Sequence, residues 1–287
     1  FKTPTIAALA DVVLPAQTFA ERNGIAFVSG AQRGSTINKV TQVGECKSDM
    51  EINLELGRRW NPEAWPWDNV DDMFTDMLKP TEMSFEELQK VAPAYQPIEY
   101  YRYKTGKLRP DGQPGFNTPT GRIELWSNFY SRAGLDPLPY FEEPEPGPGS
   151  TPELMDEFPL VMTSGARFWG MFHSEHRQIE RMRHYRPWPL MDIHPDTAAK
   201  YGIKDGDWVW MEGPMGRAKR KAKLTVQMDR RIVSCDHGWW FPEGDPDKFY
   251  DVFDLNINNT LPWIPGKSGF GSNYKSSICK IYKVEGE

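Results

Sequence analysis

From Pro159 onward the sequence breaks into short apolar runs separated by tight turns, and that rhythm limits the fold more than any other feature of the chain. Runs of this length at regular spacing suit a small closed barrel, because closure is the arrangement that leaves no strand edge unpaired. Pro159 to Thr163 and Leu190 to Ile193 read as strands. Pro195 stands at a first helical position and Gly202 at the position after a helix end, so 195–201 is predicted as a short helix. Asp205-Gly206-Asp207 is a turn, Trp208 to Glu212 a strand, 213–216 a turn, 217–226 a strand and Ile232 to Cys235 another. In 217–226, Ala218, Ala222, Leu224 and Val226 alternate with Lys219, Lys221, Lys223 and Thr225, as a strand with one buried face requires. Arg220 interrupts the apolar face.

Upstream the signals are different. The stretch EEPEPGPGSTP at 142–152 is predicted to be an extended linker. Before it, Ser48 with Glu51 and Ser84 with Glu87 are capping boxes, opening helices over 50–60 and 85–91, and 70–78 is also read as helical. IAALADVVL at 6–14 reads as the end of a buried strand stopped by Pro15, and GRIELW at 121–126 alternates as a strand would. Residues 93–120 read as an irregular connection. The expected fold class is therefore mixed α/β, with helices and irregular chain first and a barrel last.

Composition excludes several roles. With 26% charged and 39% hydrophobic residues the chain is an ordinary globular one, and no run of about 18 apolar residues is long enough to span a membrane. A net charge of -6 argues against nucleic acid as a partner. Cys46, Cys235 and Cys279 form no CxxC pair, so neither a zinc site nor an iron–sulfur motif can be read from them. There is no GxGxxG, Walker or GxSxG sequence. Phe1 is not an initiator methionine, which leads us to expect a piece of a longer polypeptide.

Four segments can carry ligand chemistry. Thr163-Ser164-Gly165-Ala166-Arg167 follows a strand, and a glycine turn beside an arginine suits a phosphate. FHSEHRQ at 172–178 concentrates donors; the i,i+3 spacing of His173 and His176 would suit zinc on a helix, though no third ligand is evident. In HGWWFP at 237–242 the glycine could admit a ligand and the indoles could wall a heterocycle or simply pack a core. NINNT at 256–260, with Tyr274 and Lys275 later, offers amides and an amine that suit a pterin edge or, equally, turns.

Taken in order, these and further phrases resemble the C-terminal part of the dimethyl sulfoxide reductase family of molybdopterin enzymes. The phrases are LADVVLPAQTFAERNG (9–24), VGECKSDMEINLELGRRW (43–60), FNTPTGRIELWS (116–127), DPLPYFEEP (136–144), PLVMTSGAR (159–167), FHSEHRQI (172–179), the run from Asp192 to Thr225, HGWWFPE (237–243), NINNT (256–260) and YKSSICKIYKV (274–284). Within the family, HSEHRQ and HGWWFPE are most similar to the branch of acetylene hydratases, polysulfide and thiosulfate reductases and aromatic dehydroxylases.

The resemblance implies a cofactor: molybdopterin guanine dinucleotide with molybdenum or tungsten, held in the complete enzyme. It implies 1–58 as the tail of an α/β domain, 59–154 as a connecting segment and 155–287 as a dinucleotide-binding six-stranded double-psi barrel. By position it carries cofactor contacts to Thr163, Ser164, Gly165, Arg167, His173, His176, Asp192, Asn258 and Lys275, with Asp192 facing the guanine. It places the metal ligand and any iron–sulfur motif upstream of residue 1. The implied partners are the rest of the polypeptide and an iron–sulfur electron-transfer subunit, and the substrate and compartment are not legible. Two alternatives stay open: a non-catalytic stand-alone barrel binding a nucleotide or protein, and part of a non-redox hydratase or transhydroxylase using the same cofactor.

Overall fold

Local capping chemistry sets the first elements. The structure, a computed structural model, describes residues 3–28, 33–95, 99–164, 168–266 and 275–286. Helix α1 (Pro4–Leu9) has Thr3 as its N-cap, with Thr3 Oγ1 accepting from the Ile6 N–H at 3.5 Å and a proline in its first turn. The strand expected over 6–14 is therefore absent. Proline at the helix start and a run of good helix formers decide 4–9, while Val12, Val13 and Leu14 are exposed and find no strand to pair with among the described residues.

The chain divides into two compact units, 12–124 and 1–11 with 125–287. In the first, β1 (Gly24–Val28), β2 (Arg33–Ile37) and β3 (Ala94–Tyr95) form an antiparallel sheet in that order. Helices α2 (Asp49–Trp60), α3 (Val70–Leu78) and α4 (Phe85–Val91) follow the sequence reading closely. Both capping boxes form: the Glu51 N–H donates to Ser48 Oγ at 3.1 Å and the Ser48 N–H to Glu51 Oε2 at 2.7 Å, with the same exchange between Ser84 and Glu87. The helices bury Leu54, Met73, Phe74, Leu78, Phe85 and Leu88 in one apolar cluster. Ser48→Ala is expected to destabilise this unit by about 1 kcal/mol, the usual cost of a lost N-cap. A smaller shift in the urea midpoint than Glu55→Ala, at the exposed partner of Lys47, would contradict it.

GRIELW is not a strand either. Ile123, Leu125 and Trp126 are exposed, and local turns take the backbone: the Phe116 N–H donates to Gly121 O at 2.8 Å and Thr118 Oγ1 to Arg122 O at 2.6 Å. Alternation alone makes no strand without a neighbouring strand to complete its hydrogen bonds.

In the second unit, α5 (Asn128–Arg132) precedes the proline-rich stretch. That stretch is not extended. The Glu143 carboxylate accepts from the Gly149 N–H at 2.6 Å and from the Ser150 N–H, and the Thr151 N–H reaches Gly147 O at 2.9 Å, folding the segment back on itself.

The remaining elements are β4 (Leu160–Thr163), α6 (Glu180–Tyr185), β5 (Leu190–Ile193), α7 (Pro195–Lys200), β6 (Trp208–Gly213), β7 (Gly216–Leu224), β8 (Ile232–Cys235), α8 (Val252–Leu255) and β9 (Ser276–Lys283). The six strands close in the order β4-β8-β5-β7-β6-β9, confirming a closed six-stranded barrel within a mixed α/β chain. Met162, Met191, Ile193, Val209, Met211, Val233 and Ala218 fill its interior with no exposure. Burial of this kind stabilises by roughly 1.5–3 kcal/mol for each large side chain.

Strand β7 ends at Leu224, two residues earlier than its alternation suggested. The Thr225 N–H donates to Ile193 O at 2.9 Å as the chain turns, and Val226 is left exposed. Arg220 does not break the alternation: it keeps the parity of Ala218 and Ala222 and lies wholly inside the barrel. All three cysteines are free thiols, and burial pushes Cys235 up to about 12, against the opposing pull of Arg220.

Candidate functional site

Barrel pairing lines up polar residues that are far apart in sequence. Thr163 ends β4 and pairs with Ser276 of β9 on one side and Ser234 of β8 on the other. Ser234 pairs with Asp192 of β5, and Asp192 with Lys223 of β7. Their strand neighbours Ser277, Met162, Val233, Met191 and Ala222 are buried within the barrel, so Ser276, Thr163, Ser234, Asp192 and Lys223 form one outward-facing polar row. Lys223 Nζ lies 3.3 Å from Asp192 Oδ1. At the end of the row the Ser164 N–H donates to Lys275 O at 3.1 Å, bringing the β4 loop and the start of β9 together, with the Lys275 side chain exposed.

The segment after β8 and the 172–178 segment form a second part of this site. His173 Nδ1 and His237 Nε2 are 3.0 Å apart, a hydrogen bond in which one imidazole donates and the other accepts. Residues 173–178 are a succession of turns rather than a helix, and His173 and His176 both take left-handed φ values, 51° and 69°. The helical i,i+3 arrangement of the two histidines is therefore not realised. Such conformations are costly for residues with a side chain and persist only where the surroundings enforce them.

Arg177 provides that enforcement. It is 4% exposed, lies 4.2 Å above the Trp239 ring, and donates from Nη2 to His173 O at 2.9 Å, His237 O at 3.3 Å and Gly238 O at 3.4 Å. Burial pushes its pKa down to about 10; Asp236 opposes this, and Arg183, Arg220 and Arg186 add to it. Arg186 is ion-paired with Asp236, whose other oxygen accepts the Leu190 N–H at 3.1 Å. Arg183 grips Glu243 through two bonds of 2.7 and 2.6 Å. The guanidiniums of Arg177, Arg183, Arg186 and Arg220 thus gather around the carboxylates of Asp236 and Glu243, in a chain that is acidic as a whole.

The HGWWFP segment resolves toward packing. Trp239 is buried with Met171 and Leu255, and the Trp240 indole donates to Ser174 O at 2.7 Å. Gly238 has φ +66°, and what approaches it is the His173–Ser174 backbone, where a Cβ would meet His173 C at 2.8 Å. Asn258 sits in a short 3₁₀ turn, Ile257–Thr260, beside β7. Its described hydrogen bonds stay in that turn: its N–H donates to Asn256 Oδ1 at 3.0 Å and its carbonyl accepts from the Leu261 N–H at 3.3 Å.

Of the residues singled out from sequence, Thr163, Ser164, Asp192 and Lys275 are thus joined through one barrel surface. His173 and His176 share the turn segment, Asn258 stands apart, and Gly165 and Arg167 lie outside the described residues. Ser234, Ser276, Arg177, Arg186, Asp236 and His237 were missed as site residues. Only Arg177 and His237 had a signal, since both stand in donor-rich phrases. The donor set fits an anionic, hydrogen-bonding ligand: hydroxyls along the row, amines at its edge, guanidiniums nearby and a carboxylate able to accept paired N–H donors.

Fold and donor set together define a domain that binds molybdopterin dinucleotide, and the family described as "Molydopterin dinucleotide binding domain" matches residues 160–259. Acetylene hydratase of Syntrophotalea acetylenica is 34% identical over 86% of this chain and 33% of its own length. Dopamine dehydroxylase of Eggerthella lenta is 30% identical over 97% of this chain and 34% of its own. The solved acetylene hydratase from Pelobacter acetylenicus superposes with a TM-score of 0.86 at 31% identity, covering 98% of this chain and 39% of that one. The chain belongs to the dimethyl sulfoxide reductase family of molybdopterin oxidoreductases and corresponds to its C-terminal part. It spans about a third of the length of these curated relatives.

Proposed function

We propose that this chain holds molybdopterin guanine dinucleotide, carrying molybdenum or tungsten, within a larger enzyme that performs two-electron chemistry on a small substrate. The observation that carries the reading is the polar row from Ser276 to Lys223 beside the arginines around Arg177; all of it but Ser276 lies inside residues 160–259, which match the dinucleotide-binding family. In this reading Thr163, Ser164, Gly165 and Arg167 bind phosphate oxygens, Asp192 accepts from the guanine, and Lys275 reaches the pterin. His173, His176 and Asn258 orient the pterin. The bound group would supply the metal on which electrons are exchanged. This chain's residues bind it, orient it and offset its charge. Residues 1–58 serve as the tail of an α/β domain, 59–154 as a connection and 155–287 as the cofactor domain. Iron–sulfur clusters reside elsewhere in the polypeptide or in a partner subunit, in keeping with anaerobic respiration.

A second reading is favoured by the likeness to acetylene hydratase in both sequence and structure: the same cofactor used for a hydration or hydroxyl transfer with no net redox change. Metal, pterin and iron analysis of the full-length protein from its native host tests both. Molybdenum or tungsten with guanine nucleotide supports the cofactor reading, and turnover without an electron acceptor selects the second. Neither metal nor pterin in folded protein would overturn both.

Arg167→Ala in the full-length protein is expected to lower retained dinucleotide roughly tenfold or more, since a charge-assisted hydrogen bond contributes about 1.5–3 kcal/mol. Asn258→Ala should cost less, about 1 kcal/mol. Unchanged guanine nucleotide content in the Arg167 variant would remove that residue from the site.

A further inference from the structure

Arg220 is the least expected residue of the barrel. Its side chain has no exposure, it occupies an interior position between two alanines, and among the described residues Nε, Nη1 and Nη2 have no nitrogen or oxygen hydrogen-bond partner, only the Cys235 thiol beside them. Its cation–thiol neighbour is Cys235, the last residue of β8, and beyond that Asp236. Arg177, also buried, bonds only neutral groups, the Met171 sulfur and three backbone carbonyls, and its Nε is unpartnered. The two nearby arginines that are better exposed each have a carboxylate, Arg183 with Glu243 and Arg186 with Asp236. Asp236, already paired with Arg186, is the carboxylate that acts on both Arg177 and Arg220, so three guanidiniums share one carboxylate among the described residues where solvent screens them least.

A guanidinium stays protonated in proteins, so burial cannot be relieved by losing the proton. An uncompensated buried charge destabilises strongly, and replacing it with an apolar side chain of similar size often stabilises. Retaining two buried cations next to the 236–241 segment makes physical sense when an anion completes the site.

We propose that Arg220, together with Arg177, is the buried counter-charge for a diphosphate-class dianion held beside β8, and that binding this anion stabilises the barrel. This rests on the cofactor reading, whose dinucleotide contains a diphosphate, and gives Arg220 a positioning role through charge, without requiring it to touch the ligand. Because the field of a buried charge reaches several ångströms at low effective dielectric, loss of Arg220 should weaken anion binding at least about tenfold.

The test uses the full-length protein freed of cofactor, with inorganic pyrophosphate as probe and sodium chloride at matched ionic strength as reference. We expect pyrophosphate to raise Tm in the wild type where chloride does not. Arg220→Met should raise Tm without the anion and bind pyrophosphate at least about tenfold more weakly, while Arg220→Lys, which keeps the charge, should stay within about threefold of wild type. Equal pyrophosphate affinity in wild type and Arg220→Met overturns the proposal, as does equal loss in both variants. If Arg220→Met does not fold, the lysine variant and the wild-type comparison decide: no pyrophosphate-specific rise in Tm overturns the proposal. Failure of the cofactor reading is distinct, because the native protein would then contain no pterin or guanine nucleotide.

Discussion

Asp236→Ala is expected to destabilise the second unit by about 3–5 kcal/mol, the range for stranding a buried partner of an ion pair. Three effects converge on this carboxylate. It neutralises Arg186, with only 11% of its own side chain exposed. It accepts the Leu190 N–H, while its own N–H donates to Leu190 O at 3.0 Å, so it ties the start of β5 to the end of β8. It is also the carboxylate that opposes the loss of charge from both Arg177 and Arg220. Its removal would leave three guanidiniums in one partly buried region with no charge to balance them. Asp236→Asn keeps an oxygen for Leu190 and loses only the charge, so its cost should be about half. Urea unfolding followed by tryptophan fluorescence measures both. A cost for Asp236→Ala below about 1 kcal/mol would show that these arginines are not electrostatically coupled to it.

Gly238→Ala should cost roughly 2–4 kcal/mol and break the His173–His237 contact. Left-handed φ accounts for about 1–2 kcal/mol of this. The rest is overlap: the added Cβ would lie 2.8 Å from His173 C and 2.9 Å from both His173 O and Ser174 N. Those atoms cannot retreat cheaply. Arg177 holds the carbonyls of His173, His237 and Gly238, and the Trp240 indole holds that of Ser174. Gly206→Ala is the control, since φ is +80° there but no atom stands within 4 Å of the added Cβ. It should cost only the backbone part. Equal losses at the two positions would mean the 173–174 segment moves aside freely, and the imidazole resonances of His173 and His237 would then be unchanged by Gly238→Ala.

Much of this molecule is legible in its sequence because the responsible physics is local. Ser48 with Glu51 and Ser84 with Glu87 satisfy helix N–H groups within four residues, so the starts of α2 and α4 could be read directly. Gly202, with φ +66°, ends α7 for a reason visible in a hexapeptide. Alternation along β6 and β7 marks which side chains face inward, and with it a barrel follows. Family membership was legible for a different reason, the order of many short phrases along the chain.

What the sequence could not determine depends on partners far along the chain. Val12–Leu14 and Ile123–Trp126 have strand-like composition, yet a strand exists only where another strand completes its hydrogen bonds, and none does among the described residues. Thr163 and Asp192 share a surface because Ser234 pairs with both, and His173 meets His237 across 64 positions. Arg220 looks from its neighbours like a lapse in an apolar face; only closure of the barrel turns that position into an enclosed one and makes its charge matter. Sequence by itself determined the helix starts, the strand rhythm and the family, all set within a few residues or by order. Tertiary structure decided which polar groups meet and which charges are removed from water, because burial and pairing belong to the closed barrel and not to any segment of it.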